Sequence, residues 1–237
     1  RGHFISFEGI EGVGKSTQIL LAQELLEEKG YDVVVTKEPG GTDFGLKIRE
    51  MILSKDTVFH SPYTEILLFI ADRLEHVESV IKPALAGGKI VLCDRYIDST
   101  IAYQLGGRKM PRDLIDILHQ YVNCMPVLTV LLDLDPEEGL RRAKNRAELD
   151  RFENEELSFH YTLRETYLSQ AEREPDRIKT VSCQGLSKEA VFGKVREVIE
   201  QYLTGHPPFY HDDIPKFRLS AYTLQSQQSI SSLTPHQ

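Results

Sequence analysis

The chain has 237 residues, of which 41% are hydrophobic and 27% are charged, and its formal net charge is −8. This composition is typical of one globular α/β domain or two small ones, and no apolar run approaches the ~20 residues of a membrane span. An acidic chain is not expected to bind a nucleic acid polymer, which requires a broad basic surface. Cys93, Cys124 and Cys183 form no CxxC motif, and the N-terminus has no signal-peptide pattern. Both observations favour a cytoplasmic protein with buried free thiols.

Apolar and amphipathic segments alternate along the chain. In chain order the predicted elements are strand 4–7, helix 15–29, strand 32–36, helices 43–54 and 62–86, strand 89–94, helices 99–105 and 111–122, strand 127–133, a helix opening at Asp135 and Pro136, helix 155–172, strand 177–182 and helix 187–203. Residues 127–133 are continuously apolar, as in a strand buried on both faces of a parallel sheet. The alternation predicts an α/β fold with a doubly wound, five-stranded parallel sheet flanked by helices on both faces.

The composition changes after the last predicted helix. Residues 205–237 contain four prolines, and Ser and Gln dominate from Ser220 onward. This composition is typical of a flexible tail. We therefore expect one domain over residues 1–204 and a Pro/Ser/Gln-rich tail over residues 205–237.

The strongest motif lies between the first strand and the first helix. Residues 9–16 match the pattern G-x-x-x-x-G-K-[ST] without a gap. Its glycines let backbone N–H groups face a phosphate chain, its lysine reaches the β- and γ-phosphates, and its hydroxyl faces Mg²⁺. The predicted ATP-binding residues are Gly9, Ile10, Glu11, Gly12, Val13, Gly14, Lys15, Ser16 and Thr17.

A carboxylate ends the third predicted strand. Asp94 follows Ile90-Val91-Leu92-Cys93, and the carboxyl end of that strand is expected beside the phosphate loop. An acid there can hold Mg²⁺ directly or through water. Ser16 and Asp94 are therefore the predicted magnesium ligands, although a strand-terminal acid can also serve only as a cap.

Four segments together resemble the thymidylate (dTMP) kinase family. They are Phe7-Glu8-Gly9-Ile10-Glu11-Gly12-Val13-Gly14-Lys15-Ser16-Thr17, Lys37-Glu38-Pro39-Gly40-Gly41-Thr42, Asp94-Arg95-Tyr96 followed by Ser99 and Ala102-Tyr103-Gln104, and Glu148-Leu149-Asp150-Arg151-Phe152-Glu153. The last segment is similar to the lid of the bacterial subgroup. The resemblance covers about residues 2–203. It implies a three-layer P-loop NTPase fold, a homodimer, and the reaction of ATP with dTMP to give ADP and dTDP for dTTP synthesis, with Mg²⁺ as cofactor.

The resemblance also implies which residues bind dTMP. Arg95 and Arg49 would grip its phosphate, Phe69 would stack on thymine, and Arg73 would reach a thymine carbonyl. The full set of implied dTMP-binding residues is Glu11, Glu38, Pro39, Arg49, Phe69, Arg73, Arg95, Ser99, Thr100, Tyr103 and Gln104. Tyr103 would pack beneath the deoxyribose, and Glu11 would meet the sugar 3′-hydroxyl or the metal network.

One departure from some relatives concerns the source of a catalytic arginine. Those relatives carry a basic residue inside the phosphate loop, where this chain has Gly12. A lid over about residues 141–155 would then supply the charge, and among Arg142, Arg146 and Arg151 we favour the last two. The implied catalytic residues are Lys15, Arg95, Arg146 and Arg151.

Three alternative functions are considered. A GTP-driven switch would carry N-K-x-D and D-x-x-G motifs, and neither is found. Another small nucleotide or deoxynucleoside kinase would share the phosphate loop, but a nucleoside kinase has no need of Arg49 and Arg95 for an acceptor phosphate. A non-catalytic module that kept the fold is disfavoured by the intact Lys15, Ser16 and Asp94.

Overall fold

A computed structural model describes residues 2–146 and 148–205, so nearly all of the predicted tail lies outside the described residues. The strands are β1 His3–Glu8, β2 Val33–Lys37, β3 Ile90–Asp94, β4 Leu128–Asp133 and β5 Ile178–Ser182. The helices are α1 Lys15–Glu28, α2 Asp43–Leu53, α3 Pro62–His76, α4 Lys82–Ala86, α5 Ile97–Thr100, α6 Arg112–Val122, α7 Pro136–Arg146, α8 Leu157–Arg173 and α9 Lys188–Gly205, with π-helical segments at Val77–Ile81 and Ile101–Gly107. Gly205, placed by the sequence in the tail, is the last residue of α9.

The five strands form one parallel sheet in the order β2-β3-β1-β4-β5. Helices α1 and α9 pack on each other and on one face, whereas α4 and α8 pack on the other. Successive residues of β1 serve different cores, since Phe4 belongs to one apolar cluster and Ile5 to the other. This alternation is what a central strand covered on both sides requires. The predicted fold class is confirmed.

The sheet register brings the two main motifs together. Phe7 on β1 lies beside Asp94 on β3, so the loop after β1 and the residues after β3 leave the sheet at the same edge. Ligands of doubly wound sheets bind at the carboxyl ends of strands where the strand order reverses. The phosphate loop and Asp94 meet at this point.

The predicted helix 62–86 is one continuous rod with a π-helical turn inside it. Pro83 explains the turn, because proline lacks an N–H and its ring clashes with the carbonyl four residues earlier in a regular α-helix. That carbonyl belongs to Ser79, inside the segment Val77–Ile81. The wider turn accommodates the proline without breaking the helix.

The second π-helical segment carries part of the site. The predicted helix 99–105 is found as α5 followed by the turn Ile101–Gly107, which holds Tyr103 and Gln104. Its two glycines lie against α8, and a Cβ at Gly106 or Gly107 would overlap side chains of that helix. Among the described residues, no helix has both the length and the apolar character needed to cross a bilayer.

Candidate active site

The phosphate loop is built around glycines in the left-handed region. Gly9, Gly12 and Gly14 have φ values of 142°, 73° and 96°, which residues with a Cβ atom rarely adopt. Gly9 also lies so close to the Leu132 carbonyl of β4 that a Cβ there would overlap it. The loop therefore depends on these glycines both for its conformation and for its packing on the sheet.

Lys15 lies folded across this loop. Its Nζ donates to the carbonyl oxygens of Gly9 at 3.4 Å and Ile10 at 3.3 Å, and the residue is buried. Burial and the nearby charge of Arg95 lower the pKa of the Lys15 ammonium, against the opposing charge of Asp94. The ammonium is thus preorganised beside the backbone that would cradle phosphates.

The two predicted magnesium ligands lie side by side. Ser16 Oγ donates to Asp94 Oδ2 at 3.4 Å. A hydroxyl and a carboxylate are the hard oxygen donors that Mg²⁺ prefers, and this cation commonly takes only one or two carboxylates because substrate phosphates supply further oxygens. The donor set at this place fits that ion.

Arg95 connects the phosphate loop to helices α5 and α8. It has a φ of 68°, and its guanidinium donates to Gly9 O at 2.9 Å, Tyr167 OH at 3.1 Å and Ser99 Oγ at 3.3 Å. Its Nη2 also pairs with Glu11 Oε1 at 2.5 Å. This pairing holds the Arg95 guanidinium at the inner end of the phosphate loop, where it could contact an anionic substrate.

Glu11 is held on two sides. Tyr103 OH donates to its Oε1 at 3.0 Å, and Arg95 lies over the Tyr103 ring at 5.2 Å from the centroid. Burial alone would raise the pKa of the Glu11 carboxyl, but the charges of Arg95 and Lys15 outweigh it and lower the pKa to about 2. Glu11 is therefore ionised throughout the working range of an enzyme.

Glu8 is a buried carboxylate behind the cavity lining, and sequence reasoning gave it no role. Its Oε1 accepts from the Tyr96 N–H at 2.7 Å, and its Oε2 accepts from the hydroxyls of Ser99 at 2.6 Å and Tyr167 at 3.1 Å. Burial and the charge of Asp98 raise its pKa to about 7. The available signal was a carboxylate at the end of an otherwise apolar strand, directly before the phosphate loop.

Arg73 is the centre of a second, fully buried network. Its Nε donates to Glu38 Oε2 at 2.6 Å, its Nη1 donates to Thr100 Oγ1 at 2.9 Å, and it also bonds His119 Nε2 at 2.6 Å. Glu38 bonds His76 Nδ1 at 2.8 Å as well. Burial and Arg73 lower the pKa of His119 to about 3, so the neutral ring accepts from the guanidinium. The orientation of Arg73 is thus fixed from three sides.

One cavity of about 700 Å³ is lined by residues of the phosphate loop and of both networks. The predicted residues that line it are Glu11, Gly12, Gly14, Lys15, Ser16, Thr17, Glu38, Pro39, Arg49, Phe69, Arg73, Asp94, Arg95, Ser99, Thr100, Tyr103, Gln104 and Arg146. Arg49 reaches it from α2, where its Nη1 donates to the Pro39 carbonyl at 2.8 Å. Ile10 and Val13, predicted to contact ATP, have side chains buried in the apolar core and lie outside this lining, so they can act only through their backbone. Gly9 contributes its carbonyl to Lys15 and Arg95.

The two favoured lid arginines differ in their surroundings. Arg146, at the end of α7, lines the cavity, and its side chain is 65% exposed, with one long bond of 3.3 Å to Glu153. Arg151 points elsewhere: its Nε donates to the Ile52 carbonyl at 2.7 Å and its Nη2 pairs with Glu65 at 2.7 Å. The structure does not bring Arg151 to the cavity.

Glu65 is a second residue that sequence reasoning missed. This buried carboxylate of α3 accepts from Gln104 Nε2 at 3.1 Å and Arg108 Nε at 3.3 Å, in addition to Arg151. The two arginines stand over the Phe152 ring at 5.4 Å and 4.5 Å from its centroid. Glu65 thereby fastens the end of the predicted lid segment to the body of the protein. No local sequence pattern predicts this role of Glu65.

Comparisons with known proteins identify the family. The thymidylate kinase family model matches residues 7–195. The chain belongs to the thymidylate kinase family. It is 48% identical over 210 residues to the thymidylate kinase of Pelobacter propionicus, covering 85% of this chain and 96% of the relative. It is 46% identical over 205 residues to that of Caulobacter vibrioides, covering 86% and 98%.

A solved structure agrees with these sequence relatives. The crystal structure of thymidylate kinase from Ehrlichia chaffeensis is 34% identical to this chain and matches it with a TM-score of 0.69. The match covers 84% of this chain and 98% of that chain. The prediction of an ATP-dependent nucleoside monophosphate kinase of this family is confirmed, and the five-stranded P-loop fold with it. Thymidylate kinases use ATP and dTMP, and the cavity described above is the candidate place for both nucleotides.

Proposed function

We propose that the cavity transfers the γ-phosphoryl group of ATP to dTMP with ATP at the phosphate loop and dTMP over Phe69, Arg73 and Tyr103. The observation that carries this proposal is the continuity of the cavity, which runs from Lys15 and Ser16 to Phe69 and Arg73 without a dividing wall. Two nucleotides bound from opposite ends would meet with their phosphates near Arg95. Phosphoryl transfer needs chiefly this alignment and charge stabilisation.

The charges along the cavity support this arrangement. Two anionic substrates repel one another, and Lys15, Arg49, Arg95 and Arg146 all line the space where their phosphates would lie. Lys15 and the loop amides hold the phosphates of ATP. Arg95 and Arg49 hold the phosphate of dTMP, for which a planar guanidinium fork is suited. Glu11, which pairs with Arg95, keeps that fork in place.

Ser16 and Asp94 would hold Mg²⁺. When bound, the cation neutralises charge on the β- and γ-phosphates and stabilises the phosphates in one orientation. Ser16 is the second residue of α1, directly after Lys15, and Asp94 ends β3, so both oxygens stand on rigid elements. The hydrogen bond between them holds both side chains toward the phosphate loop.

The thymine end of the cavity combines an aromatic face with fixed donors. Phe69 offers its ring for stacking, and Arg73 donates to a thymine carbonyl from the position that Glu38 and Thr100 hold. Thr100 already accepts from Arg73, so we assign it to orienting this arginine as well as lining the pocket. Tyr103 packs under the deoxyribose, with its hydroxyl directed to Glu11.

Arg146 is the arginine that we assign to the transition state. It lines the cavity with Gly12, Gly14 and Lys15, and its only side-chain bond within the described part of the chain is the long one to Glu153. Arg151 instead supports Phe152 by its bond to Glu65. The sequence left open whether Arg146, Arg151 or both enter the transition state, and this division assigns that role to Arg146.

We further propose a homodimer formed by helices α2, α3 and α6. Helix α3 packs against both of the others, and exposed apolar side chains recur on all three. They are Phe44, Met51, Tyr63, Leu67, Ile117 and Tyr121. Exposed apolar side chains that recur on neighbouring helices are typical of an interface, and a second copy of the chain is the occupant that the family implies. Wild type should sediment at twice the chain mass and Leu67→Glu at the chain mass, while Leu20→Glu on α1 should leave the dimer intact.

A cytoplasmic location completes the proposal. Cys93, Cys124 and Cys183 are all buried free thiols, which suits a reducing compartment.

Coupled ADP release tests the substrate assignment. The assay takes ATP with Mg²⁺ and offers dTMP, dUMP, dCMP, dGMP or AMP in turn, with Lys15→Ala as the control that removes the phosphate-binding ammonium. We expect dTMP to give the highest kcat/KM, dUMP to be a poor but real substrate, and the purine nucleotides to be rejected. Preference for any purine nucleotide or for dCMP would contradict the placement of thymine over Phe69.

A further inference from the structure

Two glycines face each other where the phosphate loop meets helix α7. A Cβ at Gly139 would lie 2.4 Å from the Glu11 carbonyl oxygen, and a Cβ at Gly12 would lie 2.0 Å from the Gly139 carbonyl oxygen. The backbones of the loop and of the helix are thus in direct contact, with no side chain between them. This contact involves the loop that binds ATP and the helix that carries Arg146.

Gly139 and Arg146 lie on the same side of α7. They are seven residues apart, which is close to two helical turns, or ~10 Å along the axis. Ala143, one turn after Gly139 on the same side, is buried as well. The helical face that rests on the phosphate loop is therefore the face that ends in Arg146, and the distance between helix and loop determines where that guanidinium arrives.

We propose that Gly139 is a positioning residue for phosphoryl transfer, which sets the approach of α7 to the phosphate loop and so the reach of Arg146. The inference rests on the role proposed above for Arg146. The paired glycines also account for the absence of a basic side chain at position 12, because any side chain there would collide with the α7 backbone. With α7 packed on the loop in this way, the positive charge must come from Arg146 at the end of the helix instead of from a side chain of the loop.

Gly139→Ala tests the proposal, with Gly193→Ala as its matched control. Both glycines lie inside helices, at φ values that alanine adopts freely, so both changes favour the helical state. Apart from the adjoining backbone of its own helix, no atom of the described chain lies within 4 Å of a Cβ added at Gly193. The control therefore reports helix propensity alone, whereas Gly139→Ala also forces α7 to retreat from the loop by several tenths of an ångström or more.

The expected result is a split between the kinetic constants. Gly139→Ala should lower kcat by about 10–100-fold, since misplacement by about 1 Å has effects of this size, and should leave the KM for dTMP within about twofold. Gly193→Ala should keep both constants. The Gly139→Ala enzyme should melt within about 4 °C of wild type, and the amides of residues 9–14 should exchange hydrogen faster than in wild type.

A double variant shows whether Gly139 acts through Arg146. In the Arg146→Ala background, Gly139→Ala should lower kcat by no more than about twofold, because the group that it positions is already gone. The proposal would be overturned if the kcat losses of the two single variants multiply in the double variant, or if Gly139→Ala leaves kcat unchanged. It would also be overturned if Gly139→Ala melts far below wild type, because the contact would then serve folding. If Arg146→Ala alone keeps a normal kcat, the role of Arg146 fails, while faster exchange in Gly139→Ala still tests the contact with the loop separately.

Discussion

Replacing Glu8 by glutamine should make the free energy of unfolding less sensitive to a rise in pH from about 5 to about 8. Glu8 is fully buried and has its pKa raised from 4.5 to about 7 by burial and the charge of Asp98. The folded state therefore binds this proton more tightly than the unfolded chain does. The favourable contribution of the proton is complete below pH 4.5 and is lost as the pH rises through about 7.

The size of the effect follows from the two pKa values. Their separation corresponds to about 3 kcal/mol, since each pH unit is worth about 1.4 kcal/mol. About 2 kcal/mol of this falls between pH 5 and pH 8. Glutamine preserves the contacts, because its oxygen can accept from the Tyr96 N–H while its amide donates to the hydroxyls of Ser99 and Tyr167. The glutamine side chain resembles the protonated acid, and it does not ionise in this pH range.

Urea unfolding of wild type and Glu8→Gln at several pH values between 5 and 8 measures this effect. The free energy of unfolding of the variant, relative to wild type, should rise by about 2 kcal/mol across that range. Glu24→Gln, on an exposed position of α1, controls for the loss of a carboxylate. A difference between Glu8→Gln and wild type that stays constant with pH would refute the reasoning, because Glu8 would then be ionised at both ends of the range.

Three further predictions concern catalysis. Arg146→Ala should lower kcat by about 10³-fold with little change in the KM for dTMP. Arg151→Ala should mainly lower the melting temperature, because it releases Glu65. Equal kcat losses for the two variants in single-turnover assays would contradict this division of roles. Tyr103→Ala should relax the preference for dTMP over ribothymidine monophosphate while the preference for dTMP over dUMP persists, as comparison of kcat/KM values shows, and unchanged sugar selectivity would remove Tyr103 from that role. Deleting residues 206–237 should keep kcat/KM within about tenfold, or roughly 1.4 kcal/mol, because the family match ends at residue 195; a larger loss would give the tail a part in the site.

The parts of the site that could be predicted are those encoded in short stretches of sequence. The phosphate loop and the residues after β3 carry their chemistry in adjacent positions, and the strand pattern was enough to place them at one edge of the sheet. The position of Arg151 outside the cavity lining could not be predicted, because its neighbours in sequence suggested a lid, whereas its partner Glu65 lies 86 positions away. Long-range pairs of this kind leave no periodic signal in a single sequence.

The missed carboxylates have a common physical reason. Glu8 and Glu65 are buried and accept hydrogen bonds from several separate segments. A sequence shows that a residue is acidic but not that donors from distant elements converge on it. The two π-helical turns were missed for a different reason, since their hydrophobic spacing over a few residues is too similar to that of an α-helix to be told apart.

The strand order has a consequence for the chain as it is being synthesised. β1 lies in the middle of the sheet, and both of its partners, β3 and β4, come much later in the sequence. At about 5–20 residues per second, a ribosome needs about 4–16 s to pass from the end of β1 to the start of β3. Throughout that interval both hydrogen-bonding edges of an apolar strand are unpaired, a state prone to association with other chains. The nascent protein therefore depends on early shielding of residues 3–8, by α1 or by a chaperone, long before any nucleotide could bind.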